Sequence, residues 1–230
     1  MTVKQILHRL KSLGNLNNVA GMSRFGIVAK KVYGASAPSI RLLAKEIGKN
    51  HKLALKLWDT EVYDARILSA FIDEPEIVSK KQMDSWVKDF DNWAICDGVC
   101  IHLFRKTPFA WKKSIEWSRR KEEFVKRAGF TLFATLAVHN KDVDNEKFIE
   151  ILPIIKQAST DERNGVKKAV NWALRQIGKR NLILNQEAIK TAEEIKKIDS
   201  PSARWIASDA LRELRSKMVQ KRLQKYVNKK

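Results

Sequence analysis

The sequence predicts an all-α protein built from short, paired helices. Three observations predict it: apolar residues recur at helical spacing from end to end, Gly and Pro are scarce at nine and five, and no window alternates apolar with polar residues between turn signals. The apolar sets are Ile6, Leu7, Leu10 and Leu13; Ile40, Leu43, Ala44 and Ile47; Ile67, Leu68, Phe71 and Ile72; and Phe130, Phe133, Ala134, Ala137 and Val138. Each fits the stripe that a helix turns toward a core. Punctuation agrees: Pro38, Pro75, Pro108 and Pro201 are expected near helix starts, Ser79, Asp161 and Ser200 as N-caps, and Gly48 and Gly178 near helix ends. About a dozen such helices, joined by tight turns, should stack as antiparallel pairs.

The pairs repeat. YDARILSAFID at 63–73, VKRAGFTLFATLAVH at 125–139, VKKAVNWALRQIGK at 166–179 and PSARWIASDALREL at 201–214 each open with a basic residue beside a small one, so that Arg66, Arg127, Lys168 and Arg204 hold similar places. With the helix of Trp93 and Asp97 set between the first two, the period is about 30 to 40 residues, within or just below that of HEAT-type repeats. One α-solenoid domain over 1–230 is therefore expected, a stack of HEAT-like antiparallel helix pairs. Its second helices would line a concave face, and the recurring cations would make that face a basic groove. The lysine-rich end KMVQKRLQKYVNKK, 217–230, reads as a solvated tail that is free to fray.

A formal net charge of +19 on a chain that is 44% hydrophobic puts the charge excess on a folded surface. Such a surface attracts polyanions, and nucleic acid leads over anionic lipid and acidic protein. No apolar run approaches the roughly 20 residues of a membrane span, and MTVKQILHRLKSLG lacks a signal-peptide core, so a soluble, cytoplasmic protein is expected. Cys96 and Cys100 are the only cysteines, too few for a structural zinc site, and read as ordinary buried thiols. Neither a phosphate loop nor H-E-x-x-H occurs, and neither metal nor organic cofactor is expected.

Two constellations carry chemistry. Lys168, Trp172, Arg175 and Lys179 follow at steps of four, three and four, giving a cationic helix face interrupted by one indole. It reads either as a tryptophan anchoring the core under snorkelling cations or as a wall that grips phosphates while the indole packs on a sugar or base. Trp93 and Asp97 stand one turn apart on another helix, an acid beside an aromatic in a strongly basic chain. Asp97 on its own would cap a turn or pair with an arginine such as Arg127.

NWAICD at 92–97 and VKKAVNWALRQIGK at 166–179 resemble the matching segments of the AlkD-like DNA alkylation repair glycosylases, a family built from HEAT-like repeats. The resemblance spans about residues 30 to 215 and is sharpest in W-x-x-x-D followed much later by A-x-x-W-x-L-R. It implies that Trp93 and Trp172 are aromatic walls around a damaged nucleotide and Asp97 the catalytic carboxylate. It also implies that Arg127 grips the backbone near the lesion and that Arg175 anchors DNA. Lys168, Arg66 and Arg204 join the DNA-binding set through the repeat pattern, and Lys179 through the cationic face that it shares with Lys168 and Arg175. Asn92 stands where better-characterised members of that family can carry another aromatic.

The chemistry explains why an acid sits among so many cations. An N3- or N7-alkylated purine is positively charged, so its glycosidic bond is weakened and the enzyme has mainly to stabilise an oxocarbenium-like sugar, which a fixed carboxylate does. Facing indoles add roughly 0.5 to 2 kcal/mol each where water is excluded. The expectation is a monomeric, monofunctional alkylpurine glycosylase acting on double-stranded DNA. The alternatives are a non-catalytic DNA or RNA binder and a scaffold for acidic proteins.

Overall fold

Turns of four or five residues organise this chain. The computed structural model describes residues 1–227, the side chains of 226 and 227 excepted. Over those residues it contains fifteen α-helices and one 3-10 turn, and no strand. The chain divides into two compact units, Met1–Ala110 and Trp111–Lys230.

In the first unit α1 (Val3–Ser12), α2 (Leu16–Arg24) and α3 (Ala37–Ile47) precede two pairs: α4 (His51–Trp58) with α5 (Tyr63–Ile72), and α6 (Lys80–Lys88) with α7 (Trp93–His102). Residues 59–62 and 89–92 are the connections, too short for anything but an antiparallel return. An aromatic cluster fills the unit. Trp58 stacks on Trp86 at 4.0 Å and 3°, with Phe90 and Phe104 packed around the two indoles. Such rings contribute large apolar area and a further ~0.5–1.5 kcal/mol per well-placed pair. Trp58 Nε1 donates to Asp89 at 2.8 Å, so the buried indole keeps a polar partner.

The second unit pairs α8 (Ala110–Ser118) with α9 (Glu123–His139), then, after α10 (Asn145–Ile149), α11 (Leu152–Ala158) with α12 (Asn164–Gly178), and α13 (Leu182–Lys196) with α14 (Pro201–Leu214). α12 packs against α9, α13 and α14, and its buried side, Val166, Ala169, Val170, Ala173, Leu174 and Ile177, is the centre of the core. The second helices of the pairs begin at 63, 93, 123, 164 and 201. The period of 30 to 40 residues expected from the sequence is thus the spacing of real elements, stretched by α10 and by the 17-residue α9.

Ser79 and Ser200 cap α6 and α14 as expected, their hydroxyls accepting from Gln82 N and Ala203 N. Gly48 ends α3 at φ +74, where only glycine is unstrained. Gly178 is needed for a different reason: a Cβ there would lie 2.7 Å from Leu214 and 2.9 Å from Ala188, so the glycine permits close helix packing. Two expectations fail. Pro75 follows the C-cap of α5 at Asp73 instead of opening a helix, the usual place for a proline that cannot continue one. Asp161 lies two residues before the N-cap Arg163, whose backbone N–H it accepts. Over the basic C-terminal run, Lys217–Val227 forms α15, with Val219 and Leu223 buried. Asn228, Lys229 and Lys230 lie outside the described residues.

Candidate nucleic-acid interface

The start of α7 is set by Asn92. Its Oδ1 accepts from the N–H groups of Ala94 and Ile95 at 3.1 and 3.0 Å, and its Nδ2 donates to Asp91 at 2.7 Å. The side chain is 2% exposed. An aromatic in this place would leave two helix-end donors without an acceptor, so Asn92 has a structural role here. Trp93 is then the first helical residue, 39% exposed. Ile95, Cys96, Val99 and Cys100 form the buried side of α7, while Asp97, one turn beyond Trp93, is half-buried. The indole is fixed by a link across 68 residues, as Trp93 Nε1 donates to the carbonyl of Phe25 at 2.9 Å.

Beside this helix start lies a cavity of about 200 Å³, lined by residues that include Lys30, Lys31, Glu61, Tyr63, Arg66 and Asn92. Lys31 pairs with Glu61 at 2.8 Å and holds its carboxyl below the usual range. Burial, followed by the nearby Asp64 and Asp91, pushes the Tyr63 phenol up to about 12, which keeps it a neutral donor at any physiological pH. Arg66 is committed to the fold. Its guanidinium lies 4.9 Å from the Trp58 ring centre, donates to the Trp58 and Asp89 carbonyls, and is 3.7 Å from the Asp89 carboxylate.

In the second unit, α12 presents Lys168, Trp172, Arg175 and Lys179 in the predicted order, with Lys179 as the C-cap. Lys168 is exposed, and Trp172 packs, partly buried, on the core. Arg175 and Lys179 each reach Glu213 of α14 at 2.6 Å, and Arg175 also approaches Asp209 at 3.5 Å. Asn171 donates to Asp209 at 2.7 Å. Burial of Glu213 opposes its ionisation, but Lys179 and Arg175 outweigh this and its pKa is lowered. Sequence reasoning missed Asp209 and Glu213. Their signal was the step of four in DALRE, an acidic pair one repeat after the cations that it meets.

Arg127 is 6% exposed and donates to the Gly165 carbonyl on α12. Arg204 is exposed and pairs with Asp199 at 2.8 Å. The recurring cations of the repeat pattern thus divide into two well-packed residues, Arg66 and Arg127, and two at the surface, Lys168 and Arg204. A further exposed aromatic was passed over: Trp205, 42% exposed, with Lys167 Nζ 5.5 Å from its ring centre.

No group of three or more His, Cys, Asp or Glu side chains that could hold a metal occurs among the described residues, and no helix there is long and apolar enough to cross a membrane.

No curated protein matches the chain. Among solved structures it is similar, at 20% identity and a TM-score of 0.78, to a member of a protein family related to the HEAT-like repeat DNA glycosylases with affinity for branched DNA structures, covering 92% of this chain and 95% of that one. A designed armadillo repeat protein aligns at 12% identity with a TM-score of 0.36, over 77% of this chain and 92% of its own. The first of these, at a TM-score of 0.78, shows the fold to be a HEAT-like α-solenoid. The profile of the DNA alkylation repair enzymes matches residues 6–226, nearly the whole length, and the chain belongs to that family.

Proposed function

We propose that this protein is a monofunctional DNA glycosylase that hydrolyses the N-glycosidic bond of N3- and N7-alkylated purines in double-stranded DNA. The observation that carries the reading is the outer side of α7 in a member of a DNA alkylation repair family: an exposed indole, fixed through its Nε1, one turn from a carboxylate. In this reading Asp97 stabilises the cationic sugar and orients the attacking water. Trp93 and Trp172 are the aromatic walls. Lys168 and Arg204 take phosphates directly, Arg175 and Lys179 do so in exchange for Glu213, and Arg66 and Arg127 act by holding their helices in place. The protein works as a monomer and as one functional domain, on DNA inside the cell, with no cofactor.

A second reading is favoured by one observation, the affinity for branched DNA of the family to which the similar structure belongs. There the same surface binds DNA without excising a base. Release of free base from duplexes containing N7-methylguanine or N3-methyladenine, at saturating enzyme, separates the two. Release by the wild type and none by Asp97→Asn is the expected result. Binding without release by the wild type removes alkylpurine excision and leaves the binder.

A further inference from the structure

α2 buries none of its residues, and no residue from 11 to 33 is buried. Core packing, which stabilises most helices, does not explain it. Its base is nevertheless well anchored. Asn15 caps it through Asn17 N, Asn15 N donates to Tyr33 O at 3.1 Å, and Asn18 donates to Gly34 O at 2.9 Å. The 33–35 turn is held in place by the buried carboxylate of Asp64, which accepts from Tyr33 N and Ala35 N at 2.7 Å each. Its far end is tied by the Phe25 carbonyl, which accepts from Trp93 Nε1.

What this segment exposes is apolar and cationic. Leu16 is 84% exposed, and Phe25 and Val28 are 74% exposed. Arg24, Lys30 and Lys31 flank them, and the first acid of the chain is Glu46. Lys31 is paired with Glu61, whereas Arg24 and Lys30 form no salt bridge among the described residues. An apolar patch flanked by Arg24 and Lys30, with Lys31 matched by Glu61, is a poor surface for a second copy of a +19 chain, which would bring like charges together. It suits a partner with an anionic backbone and apolar faces between the charges.

We propose that residues 15–31 form an accessory contact to duplex DNA, in which Arg24 and Lys30 take phosphates and Phe25 serves as an apolar wedge against the base stack. Because the Phe25 carbonyl holds the Trp93 indole, the wedge is delivered at the start of α7. That the wedged step adjoins a lesion rests on the glycosylase reading; the contact with duplex DNA does not.

The test uses the full chain and an undamaged duplex carrying 2-aminopurine. Neutralising two phosphate contacts in Arg24→Gln/Lys30→Gln should lower the slope of log affinity against log salt by about 1.8, at about 0.9 per contact. Phe25→Ala leaves the carbonyl in place. It should weaken binding about tenfold and abolish the rise in 2-aminopurine fluorescence that reports unstacking. An unchanged slope together with unchanged fluorescence overturns the proposal. So does a dimer seen in sedimentation that Phe25→Ala dissolves, since the patch would then be a self-interface. Failure of the wild type to release base sinks the glycosylase reading alone, because these readouts need no damaged base.

Discussion

Trp93 on α7 and Trp172 on α12 each stand within one turn of a charged residue, yet the two helix faces differ in what surrounds them. On α7 the indole is 39% exposed and its polar atom is held by a backbone carbonyl. On α12 the indole packs on the core, and the cations beyond it lie against Glu213 and Asp209. Helical spacing states which side chains share a face. The next helix decides whether their charges are open to a ligand. Long-range attraction is another matter: residues 111–230 hold 28 Lys and Arg against 15 Asp and Glu, and residues 1–110 hold 17 against 11. Pairing at Glu213 thus removes local cations without removing the excess that draws a polyanion in.

The largest expected effect of breaking this contrast is at Asp97. Asp97→Asn should lower base release by at least about 100-fold, the order found when a preorganised electrostatic group is removed from a reaction centre. Affinity for undamaged duplex should hold or improve, since a negative charge is removed from a chain that attracts polyanions. A loss of affinity matching the loss of release would instead make Asp97 a structural residue.

Next comes the cap that sets the start of α7. Asn92→Ala removes the acceptor for two backbone N–H groups at a position 2% exposed and should cost about 1–2 kcal/mol in urea unfolding. Asn92→Ser, which keeps an acceptor without setting a second carboxylate beside Asp91, should recover most of it. Equal losses for both would show that Asn92 serves through its amide donor to Asp91.

The caps and periods made most of the architecture legible, because they act within one helix. Ser79 and Ser200 could be placed from the residues that follow them, and the start of each second helix from the apolar stripe. Pro75 misled because a proline marks a helix end as well as a start. Asp161 misled because it serves three partners at once: it pairs with Lys126 and Arg163, and its backbone carbonyl accepts from Ser202. Burial alone would raise its pKa, but the two cations hold it at about 2. The site was half legible. Trp93 and Asp97 share a face by spacing alone, whereas the Phe25 carbonyl on Trp93 has no side-chain signature and the acids facing Arg175 come from another helix.

A smaller effect depends on pH. Burial, with Arg41, Lys106 and Arg105 nearby, lowers His102 on α7 from 6.5 to about 4. The folded state therefore binds its proton less readily than the unfolded state, and stability falls as pH drops from about 6.5 to about 4. The ring is partly open to solvent, so the contribution is discounted to about 1 kcal/mol. His102→Gln, which carries no titrating ring, should flatten that part of the Tm profile. An unaltered profile would assign the acid sensitivity to other groups.

The smallest expected effect addresses the comparison most directly. Glu213→Gln preserves shape and withdraws the charge that engages both Arg175 and Lys179. Partly exposed ion pairs contribute little, so stability should fall by only ~1 kcal/mol or less. Two cations on α12 would then be available, and affinity for duplex DNA should rise about two- to fivefold with a steeper salt dependence. Unchanged affinity would mean that DNA does not meet this face of α12, and that Arg175 and Lys179 belong to the packing of α12 on α14. In that case the functional burden in the second unit would move to Lys168 and the exposed Trp205, whose indole has a lysine over its ring.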